Sequence, residues 1–223
     1  MTYVFQFGIV FDKFPLLLEG AWLTVRLAAL ALVLGLLVAV TCAYLRTSGP
    51  KPVRLLVGGY VELIRNTPFL VQLYIVFFSL PSVGLRLEAN EAALAAMVVN
   101  FGAYATEIIR AGVQSIPVGQ IEVGRALGFK RLQIYWLIVL FPAVKTVYPA
   151  LASQFVLLML GSSVVAAISA NELTAIANTL QSTTFRAFEV YIVVTVMYLA
   201  IAVAFRAFFA AVYWYVFVRG RER

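Results

Sequence analysis

The chain has 223 residues, of which 63% are apolar and only 12% charged, with a formal net charge of +7. A soluble domain carries about 25% charged residues, so this composition and a mean hydropathy of +0.97 exclude an ordinary globular class and predict a multi-pass helical membrane protein. The absence of histidine removes histidine-based catalysis and most zinc chemistry, and a single cysteine, Cys42, excludes an intrachain disulfide.

The first residues, MTYVFQFGIVFDKF, lack the basic n-region and cleavage site of a signal peptide. Their aromatic rings suit the outer headgroup region instead. A first span is predicted at 21–44, with Cys42 as a small lipid- or core-facing residue inside it. The second, at 60–80, contains ELIRNTPFLVQ, which places Glu62, Arg65, Asn66 and Pro68 near one entry. Pro68 has no N–H and disfavours helix at Thr67, and the stretch from Pro68 to Leu80 is too short to cross, so a kinked or two-part element is expected.

The third span, at 92–110, carries Asn100, Glu107 and Arg110. Glu107 and Arg110 are three apart and can pair; Asn100, two turns earlier on the same face, can line a cavity. The fourth, at 132–160, is interrupted by Pro142 and Pro149, holds Lys145, Ser153 and Gln154, and runs into Gly161-Ser162-Ser163 and the apolar run Val164–Ile168. Irregular backbone at membrane depth is tolerated only where protein buries it or a polar cavity receives it. The fifth span, at 189–218, ends on Tyr213-Trp214-Tyr215 and Arg219, an interfacial anchor. Arg26 and Arg206 read as snorkelling or partner-facing cations. No internal repeat is evident.

Basic residues set the direction. Arg46, Lys51 and Arg54, then Arg110, Arg125, Lys130 and Arg131, then Arg219, Arg221 and Arg223 mark one side; Lys13, Arg86 and Arg186 mark the other. Lysine and arginine concentrate on the cytoplasmic side, so the N-terminus is expected outside and the C-terminus inside. The positive charge is thus a topology signal rather than a nucleic-acid surface.

Between spans three and four lies GQIEVGRALGFKRLQ, Gly119 to Gln133. Ser115 can cap a short helix over 116–128, with Pro117 in its first turn, Glu122 and Arg125 paired, and Gly128 at its end. Val118, Ile121, Gly124 and Gly128 recur at helical spacing as a small, apolar face. A helix this short is marginal alone in water and needs a surface to pack on, either its own bilayer or another protein.

The run Glu122 to Gly128 followed by Ile138 and Leu140, with ELIRNTPFLVQL at 62–73 and GAYATEIIRAGVQSIPVGQIE at 102–122, is similar to the EAA signature and flanking motifs of ATP-binding-cassette importer permeases of the polar amino acid branch. The resemblance extends over about 17–217. It implies an all-α, type I importer permease: a single transmembrane domain over 1–223, with about five spans and a cytoplasmic coupling helix, in a bacterial inner membrane. The chain would be a transport subunit without enzymatic activity or a bound cofactor. Implied partners are a second permease subunit in a homo- or heterodimer, two cytoplasmic ATPase subunits that bind ATP-Mg, an extracytoplasmic amino-acid-binding protein, surrounding lipid, and as cargo a polar or charged amino acid of the glutamate/aspartate, glutamine or basic type. Glu122, Gly124, Ala126, Leu127 and Gly128 would be the coupling contacts.

Candidate pathway residues are Asn100, Glu107, Lys145, Ser153, Gln154, Ser162 and Ser163, since intramembrane polar groups are functional candidates by default. Lys145 is expected to meet a substrate carboxylate, pair with an acid or snorkel. Three departures from the family pattern stand out. Val123 and Gly124 replace the usual alanines, Pro142 is displaced by one position, and Leu160-Gly161-Ser162-Ser163 replaces Lys-Asp-Thr-Ser. The lost charges keep open a scaffold permease whose partner in a heterodimer holds the substrate. A gradient-driven transporter or channel is the alternative from another class.

Overall fold

The computed structural model describes residues 3–130 and 133–219. Arg131, Arg221 and Arg223 of the expected inner charge set, and Leu132 at the edge of the fourth expected span, lie outside those residues.

The described residues form helices and no strand. In order these are α1 (Gly8–Asp12), α2 (Phe14–Ser48), α3 (Lys51–Arg65) and α4 (Phe69–Tyr74), the last extended by a π turn at Ile75–Ser79 and a 3-10 turn at Leu80–Val83. Next come α5 (Ala89–Gln114), α6 (Val118–Ala126), a π turn at Ile134–Leu140 leading into α7 (Phe141–Gly161), and a 3-10 segment at Ser162–Ile168. The chain closes with α8 (Leu173–Thr184) and α9 (Ala187–Tyr213), whose last turn is the π segment Trp214–Val218. Four helical stretches, Phe14–Ser48, Ala89–Gln114, Ile134–Ile168 and Ala187–Val218, are long and apolar enough to cross a membrane. A fifth crossing is made if the pair Lys51–Arg65 and Phe69–Val83, bent by 111°, counts as one broken span. At 35 residues α2 is the longest α-helix; 1.5 Å per residue makes it about 52 Å, more than the ~30 Å hydrocarbon core.

Small side chains hold the bundle together, because lipid offers no hydrophobic drive between helices and close backbone approach must supply dispersion instead. Ala28, Ala31 and Ala39 of α2 are buried with Ala92, Ala93, Ala96 and Ala105 of α5. Gly35 faces Phe101, Gly102 faces Val38, and Gly112 of α5 faces Val147 of α7. Gly20 brings α2 against the backbone of Leu173, at the start of α8. There Glu172, fully buried, caps α8 by accepting from Ala175 N at 2.9 Å and also accepts from Tyr198 Oη at 2.6 Å. These bonds offset the cost of burying an acid. The sequence reading places no element between the run ending at Ile168 and the span starting at 189, so α8 is an addition.

The break at Pro68 has a side-chain solution. The carbonyl of Ile64 would accept from residue 68, which is a proline; Gln72 Nε2 donates to it instead, at 2.7 Å, and also to Thr67 O at 3.0 Å. Thr67 Oγ1 covers Leu63 O at 2.8 Å. Pro68 therefore costs a helical bond without leaving a bare carbonyl at depth.

At the opposite end of α5, Glu107 receives Arg46 Nη1 at 2.6 Å and pairs with Arg110, while Arg46 Nη2 lies 3.9 Å from Glu62. This cluster fastens α2, α3 and α5 beside the entry to α6.

Candidate functional site: an amide-lined cavity and an exposed docking helix

The α6 helix ends in a hydrogen-bond pattern that fixes its exit. Gly128 N donates to Arg125 O at 2.9 Å and Phe129 N donates to Gly124 O at 3.0 Å, while Gly128 has φ of +78°. That paired closure uses a left-handed residue, for which glycine carries no steric penalty. No side chain meets a Cβ built at Gly128, so its requirement is conformational.

The two faces of α6 differ. Ile121 packs with Ile116, Ile134 and Val139, and a Cβ on buried Gly124 would come 2.5 Å from Ile138 Cδ1. Gly124 therefore lies on the inner face, seating α6 on the π turn before α7, and does not share the outward face with the other expected coupling residues. The outward side carries Val118 (66% exposed), Val123 (59%) and, at the cap, Leu127 (67%), with Glu122 and Ala126 also exposed. Two local expectations are corrected. Pro117, not Ser115, occupies the N-cap, and Ser115 Oγ instead donates to Gly112 O at 2.8 Å at the end of α5. Glu122 and Arg125 form no ion pair among the described residues, both side chains being exposed to solvent.

A partly open cavity of about 280 Å³ is lined by Thr67, Phe69, Asn100, Tyr104, Gln154 and Gly161, with Leu157 and Leu158 completing the wall. Two expected pathway residues, Asn100 on α5 and Gln154 on α7, meet there, and Gly161 stands where the family pattern has a charge. No lining residue is charged. On Tyr104, one of the lining residues, the Arg65 guanidinium lies 5.6 Å from the ring centre. Asn100 Nδ2 donates to Gln72 Oε1 at 2.9 Å, tying the cavity wall to the break at Pro68.

The remaining candidates separate from this group. Glu107 sits in the arginine cluster. Ser162 is buried and donates to Met159 O at 2.7 Å. Ser153 lines a second groove, about 450 Å³, beside Tyr148 and Arg206; Ser163 lines a third, about 490 Å³, with Thr195 and the same Arg206. Lys145 is half-buried and has no acidic partner among the described residues. Thr67, Gln72 and Tyr104 escaped the sequence reading. The available signal was an amide one helical turn after a proline within an apolar run, a position from which it can replace the missing donor.

A bundle of apolar helices with an uncharged cleft flanked by Asn100 and Gln154, and a separate short helix exposing apolar side chains, defines a membrane transport component with a surface left for another subunit. Residues 31–213 match the binding-protein-dependent transport system inner membrane component family, and the chain belongs to it. It is 35% identical over 196 residues to the probable glutamine ABC transporter permease protein GlnM of Bacillus subtilis, covering 88% of this chain and 91% of that one. Identity to the nopaline transport system permease protein NocM of Agrobacterium fabrum is 34% over 217 residues, covering 92% and 90%. A chain from the crystal structure of an amino acid ABC transporter with histidines superposes with a TM-score of 0.88 at 32% identity, covering 95% of this chain and 99% of that one. The inward-facing MetNI methionine ABC transporter, at 20% identity and a TM-score of 0.74, shares the fold. The architecture is that of a type I importer permease, and the chain is a transport subunit of an ATP-driven importer, not an enzyme. A gradient-driven transporter or channel is not favoured by these relationships.

Proposed function

We propose that this permease carries a polar amino acid, and that the cavity between Asn100 and Gln154 receives it. The observation that carries the reading is the meeting of these two carboxamides, chosen separately from sequence polarity, in one uncharged cavity. The glutamine named for GlnM supports a polar amino acid as cargo, beside the nopaline named for NocM. Two copies, or this chain and a second permease, form the pathway. The exposed face of α6, made of Val118, Glu122, Val123, Ala126 and Leu127 with Gly128 shaping its exit, docks on a cytoplasmic ATPase that binds ATP-Mg. Gly124 serves this docking indirectly, by letting α6 lie close on α7. The N-terminus lies outside, where a binding protein delivers substrate, and the C-terminus inside. Glu107 holds α2, α3 and α5 together near α6; Lys145, Ser153 and Ser163 are outer contributors to the path, and buried Ser162, bonded to Met159 O, braces the turn that follows α7.

The test is uptake by the reconstituted complex, challenged with acidic, basic and amide amino acids. Competition is expected from the amide class foremost. The double variant Asn100→Leu and Gln154→Leu is expected to raise KM at least about tenfold, the loss of roughly 1.4 kcal/mol of binding. An unchanged KM in that variant would remove the cavity from the pathway.

A further inference from the structure

We infer that Gln72 is a positioning residue that fixes the polarity of Asn100, so that the cavity presents a hydrogen-bond acceptor to the carboxamide N–H of a glutamine-type side chain. The inference rests on the reading that this cavity holds the substrate.

Two backbone oxygens beside Gln72 have roles that cannot be exchanged. The carbonyl oxygens of Ile64 and Thr67 only accept, and the same Gln72 atom reaches both, at 2.7 and 3.0 Å. That atom must therefore be the amide nitrogen. Its second proton is committed at the same site, where Thr67 Oγ1 lies 2.9 Å away. Gln72 is buried, with only 8% of its surface exposed, so no solvent competes for the arrangement. Its oxygen is then left facing Asn100, at 2.9 Å, and an oxygen there can only accept. Asn100 must turn its NH2 toward Gln72, which leaves Oδ1 as its other polar atom. Asn100 Oδ1 has no protein partner among the described residues, and Asn90 Oδ1 is the one buried side-chain polar atom recorded there without a partner. Asn100 Oδ1 is thus unpartnered yet accessible on a residue that lines the cavity.

The consequence is a relay of polarity. Pro68 deprives a carbonyl of its donor, Gln72 supplies one, and supplying it forces the orientation of Asn100 one residue further on. An acceptor held in one orientation favours a ligand N–H over an isosteric group without one, because the mismatched ligand leaves a polar atom unpaired. Gln154, across the cavity, forms no hydrogen bond among the described residues and offers both a donor and an acceptor. The lining holds no carboxylate for a cationic ligand side chain and no cation for an anionic one. The match is to an uncharged carboxamide.

The experiment measures equilibrium binding of glutamine and of its near-isostere 2-amino-5-oxohexanoic acid, the methyl ketone that keeps the carbonyl and carries CH3 in place of the NH2. The solubilised permease–ATPase complex is used without the binding protein, so that selectivity belongs to the permease. Wild type is expected to prefer glutamine by about tenfold or more. In Gln72→Leu the ratio should fall to within about threefold of unity while glutamine still binds, because a freed Asn100 amide turns either way. A general loss of structure would weaken both ligands together and leave the ratio unmoved. A wild-type ratio near one, or failure to bind glutamine, overturns the inference even if Gln72→Leu does not assemble. An unchanged ratio in Gln72→Leu, with binding lost in Asn100→Leu, overturns the role of Gln72 and leaves the cavity as the site. Wild-type glutamine affinity in Asn100→Leu removes the cavity reading itself.

Discussion

Introducing Val123→Asp and Leu127→Asp together is expected to lower ATP-dependent uptake by at least about a hundredfold while the permease still inserts and keeps its melting temperature. Both side chains are largely solvent-exposed and touch little of their own chain, so the fold has no stake in them. If they are covered by an ATPase subunit, each new carboxylate must be desolvated without a partner. Leaving an unpaired charge in an interface costs about 2–5 kcal/mol, and about 2.7 kcal/mol already corresponds to a hundredfold loss. The check is twofold: uptake in proteoliposomes and co-purification of the ATPase. Wild-type values for both would leave α6 as a helix resting on its own bilayer. Gly124→Val is the contrasting variant, since its Cβ would press on Ile138 at 2.5 Å and should disturb the seat of α6 and its docking together.

The second large effect is expected at Gly112, where α5 crosses α7. A Cβ there would meet Val147 Cγ1 at 1.9 Å, a contact that requires movement. Val147 is β-branched and stiff at χ1, and neither helix can shift without disturbing the alanine-lined packing of α5 on α2. Overpacking of a well-fitted core costs about 1–3 kcal/mol and sometimes more. Gly112→Leu should therefore sharply reduce the yield of folded permease and lower its melting temperature. Val147→Ala removes the opposing methyl groups and should recover part of the loss, a coupling that additive effects cannot produce. Equal melting temperatures for Gly112→Leu and wild type would mean that the α5–α7 crossing is looser than described.

How much of this was legible in the sequence depends on the range of the forces involved. The long apolar blocks announced their helices because bilayer thickness imposes a length of about 20 residues that sequence records directly. Pro68 announced a break because its effect is local. The size of that bend, 111°, was not legible, since it follows from where α3 and α4 pack. The same holds for Gln72, whose partner carbonyl lies eight residues earlier, and for the meeting of Asn100 with Gln154, which depends on α5 and α7 lying side by side. Gly124 illustrates the converse failure. Its spacing from Val118, Ile121 and Gly128 suggested a single small, apolar face, which the structure splits: Ile121 and Gly124 turn inward, Val118 turns outward, and Gly128 lies past the end of the helix. The neighbours Ile134 and Ile138 decide that. Helix α8 went unannounced because its twelve residues are too few and too polar to form a spanning block, and its anchor is the buried Glu172 network.

ATP-driven, binding-protein-dependent uptake is the most direct measure of what this permease does. The permease, assembled with its ATPase and binding-protein partners in proteoliposomes, should accumulate labelled glutamine only when ATP is supplied on the side where α6 is exposed and the loaded binding protein on the other. Uptake that proceeds on an ion gradient, without ATP and without the binding protein, would contradict it.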